Sequence, residues 1–180
     1  MQYPAEEFLQ MSDEVEWPTE TYQLVMQIQD AVGSRDSDSA RLLLAKLEQS
    51  GVLQGDALNP ISRLELLGTL ANAYIMAGNY QVAETRMQEV CELAIQVDPN
   101  NVKTALDYQA LAGLRERRGN YRGALDAVEA GIRYLRGVRG FTESSPYYTK
   151  LASSRSRLLG LVAAESQAKK RPWWAFWRKG

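Results

Sequence analysis

Carboxylates are the side chains in this sequence best spaced to do chemistry. Glu89/Glu92 and Asp126/Glu129 are i,i+3 pairs, which share one face if the segment is helical. Two carboxylates so placed could act as acid and base or share a cation, but the same spacing is common on a solvated helix face. Asp36-x-Asp38 opens like a calcium loop. Arg41, however, stands where that loop needs glycine, and Leu47 where it needs a chelating glutamate. Histidine is absent, which removes the commonest general base and zinc ligand together. The single cysteine, Cys91, allows neither an intrachain disulfide nor a cysteine metal cluster. It lies on an apolar helical stripe and reads as a buried, inert thiol. Ser144, Ser145, Ser153, Ser154 and Ser156 have no base to activate them, and GxxxxGKS/T, GxGxxG and HExxH are all missing. The expectation is a protein without catalytic residues, metal or cofactor.

Binding chemistry is better represented. The last ten residues read RPWWAFWRKG and hold Trp173, Trp174, Phe176 and Trp177, three of the four tryptophans among them. Lys169, Lys170 and Arg171 precede the rings, and Arg178 and Lys179 come after them. If that stretch is helical, a turn of about 100° per residue gathers the four rings on one side and sets Ala175, Arg178 and Lys179 on the other. Aromatic rings beside cations suit an anionic membrane surface. Tryptophan and arginine suit a peptide that docks on a protein equally well. Packing back onto the chain's own fold, or an end that docks on nothing, are the plain alternatives. Pro172 is expected to end the last helix or to offset the residues after it. No apolar run reaches the roughly 18 residues of a membrane-crossing helix, and the acidic first residues lack the basic and apolar regions of a signal peptide. The expected location is the cytoplasm, or the inner face of a membrane if the tail reads lipid.

Net charge is −1, but it is unevenly spread. Residues 1–60 carry 3 basic and 11 acidic side chains, residues 61–100 carry 2 and 5, and residues 101–180 carry 16 and 6. A basic half seeks an anionic partner, or the two ends of the chain pair between protomers in a homo-oligomer. Arginines concentrate at 115, 117, 118, 122, 133, 136, 139, 155 and 157. No nucleic-acid-binding motif accompanies them, so a general basic face is the favoured reading over nucleic acid.

The elements that must position these groups announce themselves by repetition. AGNYQVA at 77–83 returns as RGNYRGA at 118–124, with Gly78 and Gly119 41 residues apart. Seven residues before each glycine stands an alanine preceded by leucine, Leu70-Ala71 and Leu111-Ala112, and four residues earlier a large side chain, Leu67 or Tyr108. YQALAGLRER at 108–117 becomes YTKLASSRSR at 148–157, and a worn earlier copy runs from Tyr22 to Gly33. Asn59-Pro60 and Asn100-Asn101 signal helix starts, and Pro18 suits a first helical position. Ala83, Met87, Val90, Cys91, Ala94 and Val97 recur at helical spacing. The pattern predicts seven helices near 19–32, 38–50, 61–77, 80–97, 101–118, 121–137 and 145–168, with small Ala71, Ala83, Ala112 and Ala124 letting paired helices approach closely.

Across about 19–167 this pattern resembles the tetratricopeptide repeat family, most strongly over 61–137. Tyr74, Gly78, Tyr80 and Ala83 match that family's aromatic, Gly-x-Tyr and alanine positions; Gly119, Tyr121 and Ala124 match in the next unit, where Arg115 replaces the aromatic. The 40–41-residue period is similar to the lengthened repeats of kinesin-light-chain-type and bacterial members. The resemblance implies an all-α solenoid of about three helix pairs with a capping helix, an acidic extension over 1–18, a repeat domain over 19–168 and a basic aromatic tail over 169–180. Its register implies a peptide groove presenting Gln23, Gln27, Asp30, Glu65, Asn72, Ile75, Gln109 and Glu116. The lysines and arginines of the family's carboxylate-clamp members are missing there. Gly68 takes one lysine position and only Asn72 fits, so a basic or neutral peptide is the expected ligand. The implied function is a protein-binding adaptor or scaffold, with a chaperone or assembly factor for one client as the alternative.

Overall fold

Two of the reversals between helices turn on the same two residue types. The computed structural model describes residues 18–53 and 58–170. Among them it contains seven α-helices and no strand: α1 (Thr19–Gly33), α2 (Ser37–Gln49), α3 (Pro60–Met76), α4 (Tyr80–Val97), α5 (Thr104–Arg117), α6 (Tyr121–Gly137) and α7 (Pro146–Lys170). The fold is all-α. Between α3 and α4, Gly78 takes a left-handed φ of 75°, and between α5 and α6 Gly119 takes 73°. That conformation clashes with a Cβ and is the usual helix C-cap. The Asn79 amide donates to the Tyr74 carbonyl at 2.9 Å and the Gly78 amide to Ile75 at 3.1 Å. At the second turn Asn120 donates to Arg115 at 2.9 Å and Gly119 to Glu116 at 2.8 Å. Each asparagine then opens the next helix. Asn79 Oδ1 accepts from the Val82 amide at 3.3 Å, and Asn120 Oδ1 from Gly123 at 2.9 Å.

The turn between α1 and α2 has the same bonds made by other residues. Asp36 donates its amide to Ala31 at 2.9 Å, Arg35 donates to Val32 at 3.2 Å, and the Asp36 carboxylate caps α2 by accepting from Ser39 N and Ser39 Oγ at 3.1 and 2.7 Å. The left-handed residue is Arg35, at φ 60°. The worn repeat therefore does not turn at Gly33, which is the exposed last residue of α1. The cap, Asp36, fixes the turn, and the residue before it must go left-handed whether or not it is glycine. The carboxylate that opened a calcium-like motif is a helix cap. Four residues after each cap stand Ala40, Ala83 and Ala124, all fully buried.

Other starts obey local chemistry. Asn59 Oδ1 accepts from the Ser62 amide at 2.8 Å with Pro60 at the first helical position. Pro18 itself is the cap residue of α1, one step earlier than the sequence suggests. Helix α5 begins at Thr104, not near 101. Asn101 Oδ1 accepts from Lys103 N at 3.0 Å, and tight bonds from Thr104, Ala105 and Leu106 back to Asn101, Val102 and Lys103 occupy the intervening residues.

The chain divides into two compact units, Met1–Pro99 and Asn100–Gly180. In the first, α1 packs on α2, α3 packs on α4, and α3 also meets both α1 and α2. Val25, Ile28, Leu44, Leu47, Leu66 and Leu70 are buried there. In the second, α5 packs on α6 and α7 meets both, over Leu111, Leu114, Val128, Leu135, Leu151 and Leu158. Each such side chain contributes about 1.5–3 kcal/mol on burial. Ala71 and Ala112 are buried at the helix contacts, as their spacing predicts. No described helix is long and apolar enough to cross a membrane.

Arg35 makes the first turn the improvable one. Arg35→Gly should raise the unfolding free energy by up to about 1 kcal/mol, and Gly119→Ala should lower it by about 1–2 kcal/mol. Urea denaturation of both variants measures this. A destabilised Arg35→Gly would contradict a left-handed residue at that position.

Candidate functional site

The eight side chains expected to line a peptide groove divide between the units. In the first unit, Gln23, Gln27 and Asp30 share one face of α1 and are all exposed. On α3, Glu65 and Ile75 are half-buried and Asn72 is exposed. Burial pushes the Glu65 carboxyl above its ordinary range. In the second unit, Gln109 and Glu116 lie two turns apart on α5. Gln109 Oε1 is buried with no hydrogen-bond partner among the described residues, a state that costs about 1–3 kcal/mol unless a ligand or water donates to it. Glu116 is not an open carboxylate. Arg157 on α7 donates to both of its oxygens, to Oε2 at 2.7 Å, and that hydrogen bond holds the Glu116 carboxyl below its usual value. The tail candidates Arg171, Trp173, Trp174, Phe176, Trp177, Arg178 and Lys179 lie outside the described residues.

The arginines repeated at 115/117 and 155/157 have distinct employments. Arg157 ties α7 to α5 through Glu116, and Arg155 ties α7 to α6 by donating Nε to Glu129 at 3.1 Å. Both pairs are partly exposed, so each stabilises by at most about 1 kcal/mol, and their main effect is to fix orientation. Arg115 stands at the position where the preceding copy has Tyr74. Its Nη1 donates to the Gly123 carbonyl at 3.1 Å, joining the end of α5 to the start of α6. Tyr74 donates its hydroxyl to Glu48 on α2, and its own ionisation is pushed well up, first by burial and then by that bond. Arg86 on α4 donates to both Glu89 oxygens at 3.0–3.1 Å and lies 3.8 Å from Glu48. Arg41, which breaks the calcium-like motif, donates Nε and Nη2 to the Ala77 carbonyl at 3.1 and 2.7 Å. That bond satisfies an orphan acceptor at the end of α3.

The i,i+3 carboxylates do not converge on a reaction centre. Glu89 is held by Arg86, Glu92 accepts from Gln88 at 3.1 Å, and Glu129 is held by Arg155. Cys91 is buried, 2 % exposed. Ser156 Oγ donates to the Ala152 carbonyl at 3.1 Å, the back-bond of a helical serine. Among the described residues, no three of Cys, Asp and Glu group as metal ligands would. The described surface carries cross-helix ion pairs, at Arg155–Glu129 and Arg157–Glu116, and exposed amides at Gln23, Gln27 and Asn72.

Sequence reasoning missed Asp107. Burial pushes its carboxyl up to about 6. The signal was present: Thr104, Asp107, Tyr108, Leu111 and Leu114 keep helical spacing, so Asp107 sits on the apolar side of α5. The folded state holds this proton more tightly than the unfolded chain does. Asp107 therefore costs nothing below about pH 4, destabilises progressively as pH rises through about 6, and costs its full amount above that. Asp107→Asn should stabilise the protein at pH 7, by no more than about 3 kcal/mol, and leave it unchanged near pH 3.5. The difference between variant and wild-type denaturation curves at both pH values checks this; an equal effect at both would contradict the burial of Asp107.

No family model matches the chain, and no curated protein matches it either.

Proposed function

We propose that this chain is a non-enzymatic adaptor of tetratricopeptide-like helical repeats, which holds a protein partner on its repeat faces and through its tryptophan-rich basic tail. The observation that carries this reading is the turn that recurs at Arg35-Asp36, Gly78-Asn79 and Gly119-Asn120, with a buried alanine four residues after each cap. One local device used three times makes helical hairpins, and in each unit a third helix packs on both members of the preceding pair. Modules of that kind bury one side of each hairpin and leave long polar faces for a ligand. Gln23, Gln27 and Asn72 supply exposed amides, each able to donate to and accept from a peptide backbone. Among the described residues, Arg41, Arg86, Arg155 and Arg157 use their charge to join one helix to another.

The tail gives the reading its test. Leu151 and Leu158, the buried residues of α7, lie well upstream of Pro172, so the fold should not need the rings. The triple variant Trp173→Ala, Trp174→Ala and Trp177→Ala should melt within about 4 °C of wild type, equivalent to about 1 kcal/mol for a chain of this size. In affinity capture it should lose the protein that wild type retains in high salt. Retention by vesicles rich in anionic lipid, released as salt screens the basic cluster, would replace the protein partner by a membrane surface. Loss of several kcal/mol of stability would make the tail part of the core and defeat both.

A further inference from the structure

Helices α6 and α7 enclose a cleft of about 280 Å³ that concentrates positive charge. Arg133 and Arg136 line it from α6 and Arg155 from α7, together with Glu129, Ile132 and Tyr148. Three guanidiniums against one carboxylate leave a net charge of +2 on these walls. Each guanidinium has five N–H donors, and few are used among the described residues. Arg155 gives Nε to Glu129 at 3.1 Å. Arg136 reaches Glu143 and the Tyr148 hydroxyl through Nη2, at 3.4 Å each, and lies 5.9 Å from the centre of the Tyr148 ring. Arg133 makes neither a hydrogen bond nor an ion pair with any described residue. The cleft therefore carries more charge and more donors than its own carboxylates satisfy. It does so beside Ile132, which is 7 % exposed and gives the walls an apolar, weakly screening base.

We propose that the α6/α7 cleft is a docking site for an acidic peptide, whose aspartate or glutamate side chains are received by Arg133, Arg136 and Arg155. The chemistry already there selects the occupant. Two of the three arginines are met by carboxylates, and a carboxylate presents two oxygens in the plane of the guanidinium fork. Single-stranded nucleic acid fits less well, because it calls for a row of stacking platforms along a basic track. This cleft offers one ring, Tyr148, already engaged by Arg136. The site lies wholly in the second unit, and none of the eight groove candidates lines it. Its preference is opposite in sign to that of the faces carrying Asp30 and Glu65, so the two surfaces select different partners.

Fluorescence anisotropy with the full chain tests it. The probe is a labelled peptide of alternating glutamate and serine, with an oligouridine of equal charge as competitor. Arg133→Glu should weaken peptide binding by about 10-fold or more, and Arg133→Gln by a smaller factor. Arg122→Glu lies on the same side of α6 but outside the cleft, and should change affinity by less than about 2-fold. Arg133 has no hydrogen-bond or ion-pair partner among the described residues, so both Arg133 variants should melt as wild type does. Three outcomes overturn the proposal: no measurable peptide binding, equal losses from Arg122→Glu and Arg133→Glu, or displacement of the peptide by oligouridine at lower concentration than by unlabelled peptide. The second would mean a diffuse basic face and the third a nucleic-acid surface.

Discussion

The structure depends on a two-residue reversal in which one residue closes a helix and the next both completes that closure and opens the following one. At Gly78-Asn79 and Gly119-Asn120 the asparagine amide is the last donor to the helix behind it, and its side chain is the first acceptor for the helix ahead. Such a link has no slack. Once the left-handed residue is placed, the phase of the next helix is set, and with it the residue that faces back across the hairpin. That residue falls four positions after the cap, at Ala40, Ala83 and Ala124, all fully buried. A larger side chain there would push the helices apart, at about 1–3 kcal/mol. The short turn and the small residue are one constraint seen at two places.

Longer connections lack this determinism and are secured by side chains. The segment before α5 is held by the Tyr134 hydroxyl donating to the Asn101 carbonyl at 3.0 Å and by the Arg139 amide donating to Asn100 Oδ1 at 3.3 Å. Helix α7 comes after an eight-residue connection, and its arginines grip Glu116 and Glu129 on the two helices behind it. Surface ion pairs add little stability one by one. Here they orient α7 and thereby hold Arg155 and Tyr148 opposite Arg133 and Arg136. Charge in the second unit therefore has two uses: it aligns α7 with the helices behind it, and it leaves donors in the α6/α7 cleft that no described carboxylate takes up.

Helix positions were legible because each carried several agreeing signals. The boundaries of α3, α4 and α6 lie within a residue of those read from Asn59-Pro60 and the two GNY turns. The first hairpin was harder, because its turn spells Ser-Arg-Asp where the others have glycine and asparagine. Only the hydrogen bonds reveal that Asp36 does the work of Asn79 and Asn120. The start of α5 was misjudged since Asn101 can cap a helix or form a local turn, and the backbone took the turn. Site residues were less legible for a physical reason. Amphipathic spacing places Glu116 on a face but says nothing of Arg157, which is 41 residues away and occupies it. Arg115 and Tyr74 hold equivalent positions and reach different partners, one a carbonyl and the other a carboxylate. Long-range ion pairing depends on how helices are packed, and one chain's periodicity does not encode it.

The shared turn makes a claim about three particular amides. Past the end of an ordinary helix the amides are unpaired within it and exchange with solvent freely. Here the amides of Asp36, Asn79 and Asn120 are bonded back to Ala31, Tyr74 and Arg115. Residue-resolved hydrogen exchange on the full chain should find all three slowed by about 100-fold or more relative to an unstructured peptide, an opening free energy of about 3 kcal/mol. Protection at Asp36 equal to that at the two asparagines would show that one device builds all three hairpins. Exchange at unstructured rates at Asn79 and Asn120 would contradict the turn on which the rest of the fold is built.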